Sequence, residues 1–229
     1  MSEHTYGFNT LALHAGQEPD PATLSRGVPV YRTSSYLFRD TAHAAALFTL
    51  KEAGNIYTRI MNPTQDVLER RMAALEGGTA GLALASGTSA VFNAIINVCS
   101  AGEEIVSANN LYGGTYTMFD SLLPQFGITA RLVDPGEAAN FEEAINDRTR
   151  AVYVETIGNP VLDVTDVGAL AEVAHAAGLP LIVDSTFTTP YLLRPMEHGA
   201  DVVVQDHAAA VGHRGIRITD TESHLLDRA

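Results

Sequence analysis

An α/β fold built on one mostly parallel, helix-covered sheet is predicted by two patterns and one carboxylate. Short apolar runs without alternation, among them Ala80–Ala85, Glu104–Ala108, Ile128–Val133 and Ala151–Glu155, read as strands buried on both faces. Segments of helical period separate them, so the chain repeats βα units. The run from Pro180 to Val183 then ends in Asp184-Ser185-Thr186-Phe187. That places a carboxylate at the carboxyl end of a buried strand, where open α/β sheets bind ligands. An anion buried there is costly unless something positive faces it.

Composition supports a globular protein. Of 229 residues, 46% are hydrophobic and 18% charged, enough for a sizeable core. The formal net charge of -13 argues against nucleic-acid partners and against an anionic membrane surface. No apolar run reaches transmembrane length, and the first residues lack the basic and apolar regions of a signal peptide. A cytoplasmic location is the expectation. The single cysteine, Cys99, lies in an apolar pattern and reads as buried filler. Lysine is scarce: Lys51 is the only one in the chain.

Taken in order, residues 1–62 form an amino-terminal arm broken by Pro19, Pro21, Gly27 and Pro29, with a short helix near Thr41–Glu52. Such an arm either crosses to a neighbouring subunit or wraps its own domain. Asn62 is placed to cap a helix over Pro63–Glu76, with Pro63 first and Gln65 able to complete a capping box. Just before it, Tyr57 and Arg59 lie two apart, which in an extended segment aims both the same way. A hydroxyl and a guanidinium suit a phosphate, although a surface arginine beside a packing tyrosine explains the spacing as simply.

Residues 63–204 carry the βα units. After the first strand, Ser86-Gly87-Thr88-Ser89 leads into a helix near Ala90–Cys99; a tight small-residue turn at a helix amino terminus is an anion site, though a weak signal by itself. It is neither a Walker loop nor a dinucleotide fingerprint. Tyr112 follows the second strand, where its ring either stacks on a flat ligand or packs in the core. A helix follows near Tyr116–Leu123, and another includes Phe141–Asn146. Asn159 stands before Pro160, which holds it extended; a turn former is the plainer role. Val167–Ala177 reads as an amphipathic helix closed by Gly178, and a last strand covers Asp201–Val204. Residues 205–229 lose this grammar and are expected to be poorly ordered. His207, His213 and His224 fall there with no zinc-type spacing.

As a set, these motifs resemble the Cys/Met-metabolism family of pyridoxal-phosphate enzymes. The carrying stretches are Leu13-His14-Ala15-Gly16-Gln17, Gly54–Pro63, Ala85-Ser86-Gly87, Leu111-Tyr112-Gly113-Gly114-Thr115, Glu155-Thr156-Ile157-Gly158-Asn159-Pro160 and Val183-Asp184-Ser185-Thr186-Phe187. The resemblance implies the aspartate-aminotransferase-type fold (fold type I) and pyridoxal 5'-phosphate as cofactor. It gives Asp184 the pyridinium nitrogen, Tyr112 the ring face, Asn159 the ring hydroxyl, and Ser86, Gly87 and Thr88 the phosphate, with Thr186 in support. Tyr57 and Arg59 would reach the phosphate of a neighbouring subunit, so a homo-oligomer is implied. Likeness is greatest to the members that sulfhydrylate O-acetylhomoserine to homocysteine, a small amino-acid substrate, in methionine synthesis. Cystathionine γ-synthase and γ-lyase types are the alternative parents.

The departures matter as much. In the family, the last strand leads into a His-Ser-x-Thr-Lys segment whose lysine forms the Schiff base. Here the stretch is Gln205-Asp206-His207-Ala208-Ala209, with Ala209 in the lysine position. Lys51 matches a place in the arm and cannot replace it. No residue is therefore assigned as catalytic. A truncated family member, its tail read out of frame from about Gln205 and its small carboxyl-terminal domain absent, is the expectation. An inactive fragment is preferred over a non-catalytic partner protein.

Overall fold

The computed structural model describes residues 6–206 and the backbone of residues 215–219. Contacts divide the chain into one unit ending at Arg71 and another beginning at Met72.

The first unit holds α1 (Phe8–His14), α2 (Thr41–Phe48) and the start of α3 (Pro63–Glu76). α1 is a helix where the sequence shows little periodicity. Its residues include no buried one, so no apolar stripe marks it. Asp40 caps α2 through His43 N, and the helix stops at Phe48, short of Glu52. Asn62 starts α3 as its sequence position suggests, accepting from Thr64 N at 2.9 Å. The proline-broken arm is tied to this helix: the Thr64 hydroxyl donates to Pro29 O and accepts from Tyr31 N. Further along, Arg71 donates to Ala15 O and Gln17 Oε1. These bonds explain why the unit runs past Asn62 to Arg71.

The second unit is a seven-stranded sheet in the order β1-β7-β6-β5-β4-β2-β3. Its strands are β1 (Ala80–Ala83), β2 (Glu104–Ala108), β3 (Thr129–Val133), β4 (Thr149–Glu155), β5 (Leu181–Asp184), β6 (Val202–Asp206) and β7 (Gly215–Thr219). β6, β5, β4, β2 and β3 are mutually parallel, and β7 pairs antiparallel with both β6 and β1. Every residue of β2 is buried, as are Ile182, Val183 and Val203, the solvent-free setting that non-alternating runs predict.

Two expectations of strand extent need correction. β6 runs on past Val204 to Asp206, and β7 continues the sheet after the point where the sequence loses its strand-helix grammar. Gly215-Ile216-Arg217-Ile218-Thr219 alternates isoleucine with other residues, a strand signal hidden by the polar character around it. β7 also supplies backbone partners to the facing edges of β1 and β6, which would otherwise stay unpaired.

The connecting helices are α4 (Gly87–Val98), α5 (Gly113–Thr117), α6 (Ala138–Ala144), α7 (Val167–Ala176) and α8 (Thr189–Leu192). α4 starts earlier than Ala90 because Ser86 caps it, accepting from Ser89 N at 3.1 Å. α5 also starts early, directly after Tyr112. It runs into a π-helical turn, Met118–Leu122, and a 3-10 turn, Leu123–Phe126. Cys99 is buried and burial pushes its thiol up to about 12, in keeping with filler.

At the amino-terminal end of the parallel strands, Glu104 is buried at 1% exposure. It pairs with Arg131 at 3.2 Å and Arg148 at 2.9 Å and accepts from Asn146. Burial pushes this carboxyl up, but the arginines and the asparagine outweigh it and hold it below the usual range.

Candidate functional site

The opposite end of the same strands collects the residues that the sequence singles out. Parallel register sets Glu155 beside Asp184 and Asp184 beside Val204, so β4, β5 and β6 end side by side. Asp184 Oδ1 accepts from Thr186 N at 2.9 Å, and Oδ2 from the Tyr153 hydroxyl at 3.4 Å. Burial pushes the Asp184 carboxyl up; bonds from Thr186 and Tyr153 oppose this, and the nearby Asp206 adds to it. None of the ion pairs among the described residues includes Asp184. The carboxylate is thus held by neutral donors and, among the described residues, has no cation.

Glu155 extends the acidic edge. Its Oε1 accepts from Tyr112 N at 2.9 Å. Burial pushes its carboxyl up to about 8, with Asp184 contributing. The same bond fixes Tyr112 at the start of α5, with the residue 55% exposed. Gly114 lets the ring lie over the helix start: a Cβ there would come within 2.6 Å of the ring. Asn159 N donates to Asn110 O at 3.1 Å, and Gly158 is needed because a Cβ would strike the Asn110 side chain.

The Ser86–Thr88 turn joins this group through a residue that the sequence reading did not select. Gly87 N donates to Asp206 Oδ2 at 3.0 Å, and Asp206 N donates to Thr186 Oγ1 at 2.9 Å. A Cβ on Gly87 would lie 2.7 Å from that same Oδ2. One chain of contacts therefore runs from Tyr112 through Glu155, Asp184, Thr186 and Asp206 to Gly87. The signal for Asp206 was an acid standing where the family segment has serine. Glu155 carried the signal that Asp184 carried, an acid ending a buried run, and it opens one of the family stretches; Tyr153 gave none beyond membership of a buried strand.

Tyr57 and Arg59 belong to the first unit. Ile60 N and Met61 N both donate to Tyr57 O, so this segment is a turn, where an extended one was expected. The two side chains still meet: the Arg59 guanidinium carbon sits 5.2 Å from the Tyr57 ring centroid. Ala209, at the lysine position, and His207, His213 and His224 lie outside the described residues.

The sequence pattern of the Cys/Met-metabolism PLP-dependent enzymes matches residues 9–213. The chain belongs to this family. It is 54% identical over 209 residues to an O-acetyl-L-homoserine sulfhydrylase of Leptospira meyeri, covering 91% of this chain and 47% of the relative. It is 53% identical over 218 residues to a homocysteine synthase of Schizosaccharomyces pombe, covering 95% and 50%. The chain spans about half the length of these curated relatives. A Campylobacter jejuni structure holding N'-pyridoxyl-lysine-5'-monophosphate superposes with a TM-score of 0.94 at 36% identity, covering 98% of this chain and 56% of that one. A cystathionine γ-lyase from Lactobacillus plantarum gives a TM-score of 0.86 at 35% identity, covering 94% and 55%. The fold is fold type I, with a mostly parallel sheet, and pyridoxal phosphate is the cofactor of the family.

Pyridoxal phosphate presents a basic ring nitrogen, a flat ring and a doubly charged phosphate. The residues here fit its ring end: Asp184 has no cation among the described residues, and Tyr112 is exposed beside it. They do not fit its phosphate end, because the Gly87 amide already serves the Asp206 carboxylate. Nor do residues 6–206 offer an amine to tether the cofactor other than Lys51, in the first unit.

Proposed function

We propose that this chain is a non-catalytic form of an O-acetylhomoserine sulfhydrylase. In the active enzyme sulfide displaces acetate from O-acetylhomoserine, giving homocysteine for methionine synthesis. One observation carries the reading: alanine, Ala209, stands where the family's lysine belongs, and the sole lysine of the chain, Lys51, lies in the arm. Neither alanine nor histidine can form the imine that tethers the cofactor, and alanine cannot return the proton at the substrate carbons. Identities of 54% to an O-acetyl-L-homoserine sulfhydrylase and 53% to a homocysteine synthase favour this parent over a γ-lyase.

Asp184 keeps its place as a seat for a cationic ring nitrogen, with Tyr112 and Asn159 around it. Tyr57 and Arg59 face the turn at the start of α4 of a neighbouring copy, the family's phosphate seat, in a cytoplasmic homo-oligomer. The test combines pyridoxal phosphate, O-acetylhomoserine and sulfide with the purified chain, followed by borohydride reduction and intact-mass measurement. Homocysteine at the level of the protein-free control and no pyridoxyl adduct are expected. Turnover, or an adduct mapped to Lys51, overturns the reading.

A further inference from the structure

The geometry points to Asp206 as a resident anion, a carboxylate that occupies the phosphate seat at the start of α4 and so excludes phosphorylated ligands from it. The inference rests on reading the Ser86–Thr88 turn as that seat, and goes beyond the missing lysine. Three observations place the side chain there. Gly87 N, the amide that opens α4, donates to Asp206 Oδ2 at 3.0 Å. Thr186 Oγ1, a polar group beside the turn, is engaged by Asp206 N at 2.9 Å. The approach is close enough that a Cβ on Gly87 would sit 2.8 Å from the carboxyl carbon of Asp206.

A helix amino terminus attracts one anion because its first amides point outward and its dipole favours negative charge. A carboxylate supplied by β6 satisfies the same amide that a phosphate needs, and its charge repels a second anion at that distance. Asp184 ends the neighbouring strand and adds a further acid to the setting. The turn is thus neutralised from within, and ligands of this site are selected for a cationic or neutral end instead of a phosphate.

The test compares the full chain with Asp206→Ser and Asp206→Asn. Inorganic phosphate, pyridoxal 5'-phosphate and unphosphorylated pyridoxal are each titrated, followed by the 15N-amide resonance of Gly87 and by equilibrium dialysis. In the unaltered chain, phosphate leaves the Gly87 amide unmoved. In Asp206→Ser, phosphate moves it saturably and binds about 10-fold or more tighter, while pyridoxal binding is unchanged. Asp206→Asn keeps an acceptor for Gly87 without the charge and falls between. Saturable movement of Gly87 by phosphate in the unaltered chain overturns the inference whether or not the variants fold. So does a folded Asp206→Ser chain that gains no phosphate. If Asp206→Ser takes up inorganic phosphate but binds pyridoxal phosphate no better than phosphate, the resident anion stands and the vitamin-B6 reading of the ring end falls.

Discussion

The two ends of one parallel sheet treat buried carboxylates in opposite ways. At the amino-terminal end, Glu104 is enclosed by Arg131, Arg148 and Asn146 and held below the usual carboxylate range. At the carboxyl end, Asp184 and Glu155 receive only neutral donors and are pushed up. The sheet and the carboxyl chemistry are shared. What differs is whether the described residues bring a cation. A balanced end serves stability, whereas an unbalanced end is built to receive something.

The largest expected effect comes from breaking the balanced end. Glu104→Ala leaves Arg131 and Arg148 without their shared partner and should lower the unfolding free energy by about 3 kcal/mol. Asp184→Asn at the other end removes an uncompensated buried charge and should cost less than about 1 kcal/mol. Urea denaturation at pH 7 gives both values. Equal losses would erase the distinction.

Next in size is the dependence of stability on pH. Glu155 and Glu76 have folded values raised to about 8 and about 7, above those of an unfolded chain. In both, burial is the leading cause. Glu76 is fully buried and accepts from the Gln205 amide. Between their unfolded and folded values the folded chain binds more protons, so stability falls as pH rises from about 5 to 8. Raised values of this size set a ceiling of about 8 kcal/mol, and partial solvent access to the ionised groups brings the expected loss across that window to the order of 3 kcal/mol. Glu104 and Glu103 act in the other direction, losing their contribution as pH falls below the ordinary carboxylate range. Urea midpoints from pH 4 to pH 9 should therefore peak on the acid side of neutrality. Glu155→Gln should flatten the alkaline limb, since a glutamine can still accept from Tyr112 N.

The smallest effect separates ligand contact from scaffold. Tyr112→Ala removes an exposed ring, and thermal unfolding should show a change within about 0.5 kcal/mol. A much larger loss would mean that the ring belongs to the core and not to the site.

Much of this was legible in the sequence, and the physical reason is locality. Strands buried on both faces write themselves as apolar runs, so β2, β4 and β5 were found close to their true bounds. Asp184 was legible because a charge ending such a run is rare. Ser86 and Gly87 were legible as a helix start. The Asp206–Gly87 bond was not, because it spans 119 residues of chain and depends on where β6 stops. α1 was missed because it buries no residue. β7 was missed because its alternation lies within polar surroundings, and an antiparallel strand in a mostly parallel sheet breaks the βα pattern. The turn at Tyr57 shows a subtler limit: the pair was found, but for a backbone it does not have.

The most direct measurement is a 13C carboxyl titration of Glu104, Glu155 and Asp184 in the same folded chain. Glu104 should titrate below the ordinary range, Glu155 near 8, and Asp184 above the ordinary aspartate range. Ordinary, matching titrations at both ends would contradict the account.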